Sequence, residues 1–331
     1  MSKDWFIVDA HHQYTPMEAI SIAKGEASYL SSYRVEIIDI ENKLRMMEET
    51  GIDMVTLHNA SATWNGVDFC RAMNDGNARA VREHPGKFIA LANLPIDEGL
   101  CPEVMRELDR SILDLGLKGI ALATPGVSIT LGSEKLFPLY ERVSELDVPI
   151  LIHPANIRLR EKGSRIRDVM MTQVNIEDAN TRACAEVMFG VLSRFPDLKF
   201  LMPHHGGAFP LWQGRMRMTY KPDEIDLPDE YKENQLTPRL RKVFDTDEPF
   251  QRTLDKLYFD ISGFGGWMPI TKMAVSIIRS DRLCFGTDYG YEINEAIDIR
   301  QFITDIKSMD ISETAKRAIL GENMRRLFKI D

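Results

Sequence analysis

The feature that most constrains the fold is a unit that recurs eight times: a short apolar run closing on a polar residue, then a longer segment of helical spacing. The runs are Trp5–His11, Met54–His58, Phe88–Asn93, Gly119–Thr124, Pro149–His153, Lys199–His204, Leu257–Asp260 and Arg282–Asp288. Each is rich in Val, Ile, Leu or Phe, as strands covered on both faces must be. Between them, Ile40–Thr50 reads as a helix stopped by Gly51, because glycine takes the left-handed C-cap conformation freely. Leu136, Leu139, Val143 and Leu146 fall three or four residues apart, so Leu136–Leu146 presents one apolar face. Asp178–Phe195 and Ile311–Phe328 have the same character. Eight strand–helix alternations predict an α/β fold, a (β/α)₈ TIM barrel. A doubly wound open sheet competes, but no GxGxxG follows the first run.

No Pro/Gly/Ser linker or low-complexity stretch interrupts the 331 residues, so 1–331 reads as one barrel domain. Long insertions follow strand one (Tyr14–Asp39), strand five (Ala155–Glu177) and strand six (Ala208–Lys256). All three leave from C-terminal strand ends, where a barrel carries its active site, so they are expected to act as lids or substrate walls. The formal charge of −9 disfavours nucleic acid and anionic membranes as partners. Cys70, Cys101, Cys184 and Cys284 are widely spaced and form no CxxC, which suits buried thiols in a reducing compartment. With no signal-type segment and no apolar run of membrane-spanning length, a cytoplasmic location is expected.

Of the seven histidines, all but His84 lie at or just beyond the C-terminal end of a predicted strand. Strands of a closed barrel converge, so side chains from strands one, five, six and eight can meet at one point. Neutral imidazole and carboxylate are ligands that a divalent cation such as zinc prefers. His11, His153 and Asp288 are therefore the expected metal ligands, with His204 beside them. For any one histidine alone, a structural role is the simpler reading.

The blocks Val8-Asp9-Ala10-His11-His12-Gln13, Leu151-Ile152-His153-Pro154, Pro203-His204-His205-Gly206-Gly207-Ala208-Phe209-Pro210 and Phe285-Gly286-Thr287-Asp288-Tyr289 carry a resemblance. In this order the chain resembles the amidohydrolase superfamily, in the branch typified by aminocarboxymuconate-semialdehyde decarboxylase and related aromatic-acid decarboxylases. The resemblance implies metal ligation at His11 and His153. It gives Asp288 as a ligand, a proton-transfer group, or both, and His204 as the residue that orients bound water or protonates substrate. The family's HxH pair has Gln13 at its second histidine, which offers at most a neutral oxygen to the metal. His12, on the opposite face of a regular strand, reads as structural unless a bulge exchanges the two. His205 stands where the family has the first glycine of an HGGG segment.

The resemblance also implies that Arg215 reaches a substrate carboxylate, in some members across a dimer interface. A guanidinium fork suits that task, although an exposed, solvent-paired arginine is an equal reading. Arg158, Arg160, Lys162, Arg165 and Arg167 form a basic run that would draw in an anion or simply face solvent. His58 and Asn93 are further candidates to line the pocket, and Trp212 and Tyr289 to form an aromatic wall.

Such a site predicts one divalent ion, zinc first and manganese second, acting on a small carboxylate, and the resemblance implies a homodimer or larger homo-oligomer. The favoured reaction is non-oxidative decarboxylation of an aromatic or unsaturated carboxylic acid by a carboxy-lyase. The alternative is a hydrolase or hydratase acting on a lactone, amide or unsaturated acid. A third reading, prompted by Gln13 and His205, is a barrel that binds a ligand without metal.

Overall fold

The eight apolar runs form parallel strands in a computed structural model that describes residues 5–22, 34–59, 65–96, 99–124, 129–154, 165–220 and 250–330. The strands are β1 (Val8–Gln13), β2 (Met54–His58), β3 (Phe88–Ala90), β4 (Ala92–Asn93), β5 (Ile120–Ala123), β6 (Ile150–His153), β7 (Phe200–Met202), β8 (Leu257–Asp260) and β9 (Leu283–Cys284). β3 and β4 are two halves of the third run. At the break, Leu91 N–H donates to Leu57 O at 3.1 Å and Lys118 N–H to Ala90 O at 3.0 Å, so the ladder carries across. Neighbours follow chain order from β1 to β3 and from β4 to β9. The circuit closes where Ala10 N–H donates to Phe285 O at 2.8 Å and His12 bridges Tyr289 in parallel. This is the expected barrel, and fold relatives described below share it.

Alternation sorts the strand residues into two layers, because residues two apart share a strand face. Val8, Ala10, Met54, Ile89, Leu91, Ala121, Leu151, Leu201 and Cys284 form one buried cluster, floored by Met324, Leu327 and Phe328 near the chain's end. Their sequence neighbours, such as Leu57, Phe88, Leu122, Ile152 and Phe200, join the larger cluster that includes the helix residues Met47, Leu139, Val187 and Ile303. The first layer is the packed barrel interior, and the second is the contact between barrel and helices. Carried toward the C-terminal strand ends, the interior positions become His58, His153, Asp260 and Asp288.

In β1 this alternation breaks. Val8 and Ala10 face inward, and regular spacing would bring His12 inward next. Instead Asp9 lies opposite Val55 while His12 lies opposite Leu57, so β1 carries one extra residue. That bulge turns His11 and Gln13 into the barrel and His12 out of it.

The helix Ile40–Thr50 has its expected bounds and ends at Gly51 with φ 77°. Leu136–Leu146 is a helix from Phe137, preceded by a single 3₁₀ turn. Asp178–Phe195 is the later part of the helix Arg165–Glu186, which widens into a π turn at Val187–Val191. Ile311–Phe328 is less regular than expected: two short helices, Glu313–Arg317 and Asn323–Leu327, flank a π turn. All four cysteines are free, and Cys101 is exposed rather than buried. Arg158, Arg160 and Lys162 lie outside the described residues, as do parts of all three insertions, while Arg165 and Arg167 lie in the first turn of the helix Arg165–Glu186. Among the described residues, no helix is long and apolar enough to cross a membrane.

Candidate metal centre

His11 reaches the barrel mouth from the bulged end of β1, and its ring is fixed from behind. Nδ1 donates to Asp260 Oδ2 at 3.0 Å and also lies 3.0 Å from Ser262 Oγ. Asp260 is itself held, because its Oδ1 accepts from His204 N, Ser262 N and Ser262 Oγ. His153, at the end of β6, donates from Nδ1 to Pro154 O at 2.8 Å. Each bond fixes a tautomer with the proton on Nδ1, leaving the Nε2 lone pair aimed at the mouth. Burial, with the charge of His204, lowers both rings well below the usual histidine range and keeps them neutral.

Asp288 follows β9 and is held in the left-handed region at φ 50°. Its Oδ1 lies 3.3 Å from His11 Nε2 and its Oδ2 3.7 Å from His204 Nε2. Burial pushes its carboxyl up to about 7, against the pull of His204. His204 and His205 also take left-handed conformations, at φ 50° and 58°, so two of the rare strained residues, Asp288 and His204, face one another at the mouth. His204 is pressed against the loop after β8. A Cβ at Gly263 would stand 2.4 Å from its Cγ, so only glycine fits there. Burial opposes charge on His204, but its bond to Glu177 Oε1 at 3.1 Å and that carboxylate's charge raise it to about 9.

Ligand atoms of His11, His153 and His204 lie within 4.8 Å of one another. Gln13 joins them: its Nε2 is 3.2 Å from His11 Nε2, 3.0 Å from His153 Nε2 and 3.3 Å from Asp288 Oδ1. Two neutral imidazoles and a carboxylate, with lone pairs directed at the Gln13 carboxamide, are a donor set that suits a divalent cation.

The other expected residues divide. His58 belongs to the group, its ring centroid 4.7 Å from His11 and 5.7 Å from His153, with both nitrogens buried and no partner among the described residues. His12 is structural, with Nε2 bonded to Asp9 Oδ2 at 2.9 Å and its ring stacked on Tyr289. Tyr289 is therefore not a pocket wall; it is buried beside His12 and donates its hydroxyl to Asn42 Oδ1. Asn93 is tied into a polar network with Asn74 and the backbone of Asn59. His205 lies edge-on against Phe264 at 5.3 Å, outside the group of four rings. Trp212 and Arg215 are exposed on the helix Phe209–Tyr220, with the guanidinium 5.9 Å above the indole.

Four participants escaped the sequence reading: Asp260, Ser262, Glu177 and Lys43. Lys43 is fully buried, and its Nζ donates to Gln13 O at 2.7 Å and Glu36 O at 2.5 Å, anchoring the end of β1. Asp260 ends its apolar run just as the histidines end theirs, so the same rule would have found it. Groups behind a ligand typically set about 10- to 100-fold in metal affinity. Asp260→Asn should weaken binding by that factor, read by competition with a chelating dye, and an unchanged affinity would remove Asp260 from the site.

A family profile described as amidohydrolase matches residues 8–330. The chain is 28% identical to 2-amino-3-carboxymuconate-6-semialdehyde decarboxylase of Dictyostelium discoideum, over 81% of this chain and 68% of the relative. It is 27% identical to gamma-resorcylate decarboxylase of Polaromonas sp. over 90% of each. It is also 28% identical to 2-keto-4-carboxy-3-hexenedioate hydratase of Sphingobium sp., over 87% of this chain and 81% of the relative. A crystal structure of dihydroxybenzoic acid decarboxylase from Polaromonas sp., with bound manganese and 2-nitroresorcinol, superposes with TM-score 0.73 at 20% identity, covering 98% of this chain and 97% of that one. With a matching profile that spans nearly its whole length, and a parallel barrel whose strand ends gather these side chains, the chain belongs to the amidohydrolase family.

Proposed function

We propose that this protein is a metal-dependent carboxy-lyase that removes carbon dioxide, without oxidation, from an aromatic or unsaturated carboxylic acid. The observation that carries the reading is the convergence of two tautomer-locked imidazoles and Asp288 on one point. His11, His153 and Asp288 would hold a zinc or manganese ion, with Gln13 at its side. When bound, the cation supplies positive charge against the substrate carboxylate and a neighbouring oxygen.

The reaction exchanges a carboxylate for a proton at one carbon. The carbon gains a proton, the bond to the carboxylate breaks, and its electron pair returns to the unsaturated system. Asp288 suits the donor because burial holds its carboxyl in reach of neutral pH, and it faces His204 across 3.7 Å. His204, paired with Glu177, stabilises negative charge beside that carboxyl. His58 offers two unpartnered nitrogens to polar substituents of the substrate. Arg215 and Trp212, exposed on one helix together with Leu211, would act in a homodimer, where a guanidinium can reach a second copy's mouth.

The test is metal content by elemental mass spectrometry, followed by a panel of hydroxybenzoates and unsaturated diacids assayed for carbon dioxide. About one equivalent of metal and gas release from a panel member are expected. Incorporation of solvent oxygen without gas would replace the proposal with a hydratase. A barrel that neither holds nor takes up metal would leave the ligand-binding reading.

A further inference from the structure

Gln13 presents a donor to three atoms that all present acceptors. The lone pairs of His11 Nε2 and His153 Nε2 and the Oδ1 of Asp288 all face its carboxamide nitrogen, at 3.2, 3.0 and 3.3 Å. The tautomers leave no choice in this. Nδ1 of His11 gives its proton to Asp260, and Nδ1 of His153 gives its proton to Pro154 O, so both Nε2 atoms are acceptors. Only the NH₂ end of the carboxamide can satisfy them. A cation drawn by the same lone pairs meets that NH₂ group, whose hydrogens carry positive charge. The cation and the donor orientation are mutually exclusive.

The main chain of Gln13 does not resolve the conflict, because it is pinned. Its N–H donates to Tyr289 O at 3.2 Å, its carbonyl accepts from buried Lys43 Nζ, and its residue pairs with His58 across the ladder. The side chain has the remaining freedom. Half a turn about the last carbon–carbon bond exchanges NH₂ for Oε1 with almost no change of volume, and Oε1 is a ligand for a hard or borderline cation.

We propose that the Gln13 carboxamide is a two-position element that competes with the cation in one orientation and ligates it in the other. With NH₂ toward the mouth its two hydrogens are shared among three ligand atoms and stabilise the cation-free protein. With Oε1 toward the mouth it becomes a neutral ligand. The donor orientation must be given up before the cation can settle, so Gln13 lowers metal affinity by the stability it lends the cation-free form. The inference rests on the metal centre proposed above and extends it to how tightly the centre holds its ion.

The experiment is a titration of chelator-treated, full-length protein with zinc alone, followed by proton–nitrogen NMR of the glutamine side-chain amides. The Gln13 pair is identified by its absence from the spectrum of Gln13→Glu. Zinc should move the wild-type Gln13 pair at the same stoichiometry as it moves the histidine ring signals. Gln13→Glu, which cannot donate but still ligates, should bind zinc at least about 10-fold more tightly. Its cation-free form should melt below wild type, and its zinc-loaded form should not. Ring signals that respond while the Gln13 pair stays still would overturn the switch and leave the metal centre intact. A Gln13→Glu affinity equal to wild type would do the same. No zinc uptake by wild type would overturn both.

Discussion

Chelator-treated His153→Ala is expected to bind zinc or manganese about 100- to 1,000-fold more weakly than wild type, and to purify nearly free of metal. The magnitude follows from the usual strength of a protein zinc site, roughly 10–16 kcal/mol for four ligands, or about 2.5–4 kcal/mol each. His153 suits this test because, among the described residues, its only hydrogen bond behind the ring goes to the neighbouring carbonyl of Pro154. Truncation leaves no buried charge without a partner, so the cation-free protein should melt only slightly below wild type, by the lost Gln13 Nε2 contact at 3.0 Å. His11→Ala should lose metal to a similar degree and also melt lower. It would strip Asp260 Oδ2 of its imidazole in a fully buried position, and an uncompensated buried carboxylate typically costs several kcal/mol. Elemental mass spectrometry and cation-free melting curves on the two variants separate ligation from scaffolding. Wild-type metal content in His153→Ala would remove that residue from the centre.

The contrast between these two histidines shows what was legible in the sequence. The barrel was legible because strands buried on both faces must be apolar throughout, and because a polar residue at each C-terminal end marks where burial stops. That rule located His11, His58, His153 and Asp288. It held for His204 too, although β7 ends at Met202 and a 3₁₀ turn presents that ring. It also covers Asp260, whose apolar run Leu257–Asp260 closes on a carboxylate instead of an imidazole.

The bulge in β1 was not legible, since register depends on pairing with β2 and closure against Phe285 and Tyr289, both far away in sequence. The inward turn of His11 was expected from a regular strand and is reached through an irregular one. Glu177 and Lys43 were hidden for another reason. Each sits in a helix with charged neighbours, where one acid or amine aimed inward looks like any solvated face. Arg215 entered through resemblance and Trp212 as a candidate pocket wall, and both are exposed on one helix, so their proposed use depends on a second copy.

Asp288→Asn should lower kcat about 100- to 10,000-fold at saturating metal, the range a positioned acid commonly contributes, while KM changes little. The substitution keeps the shape of the side chain and an oxygen toward His11 Nε2, so the cation retains a neutral ligand there. What it removes is the carboxyl that faces His204 Nε2 across 3.7 Å and so stands ready to pass a proton at the mouth. A decarboxylase that delivers a proton to carbon also runs the reverse of that step, so the product should exchange the corresponding hydrogen for deuterium in heavy water. If Asp288 is the donor, exchange and carbon dioxide release fall together in Asp288→Asn, with metal content measured alongside. Exchange that persists while decarboxylation is lost would make Asp288 a ligand only. The proton would then have to come from His204, whose bond to Glu177 predicts that Glu177→Gln, mild in the first case, becomes severe in the second.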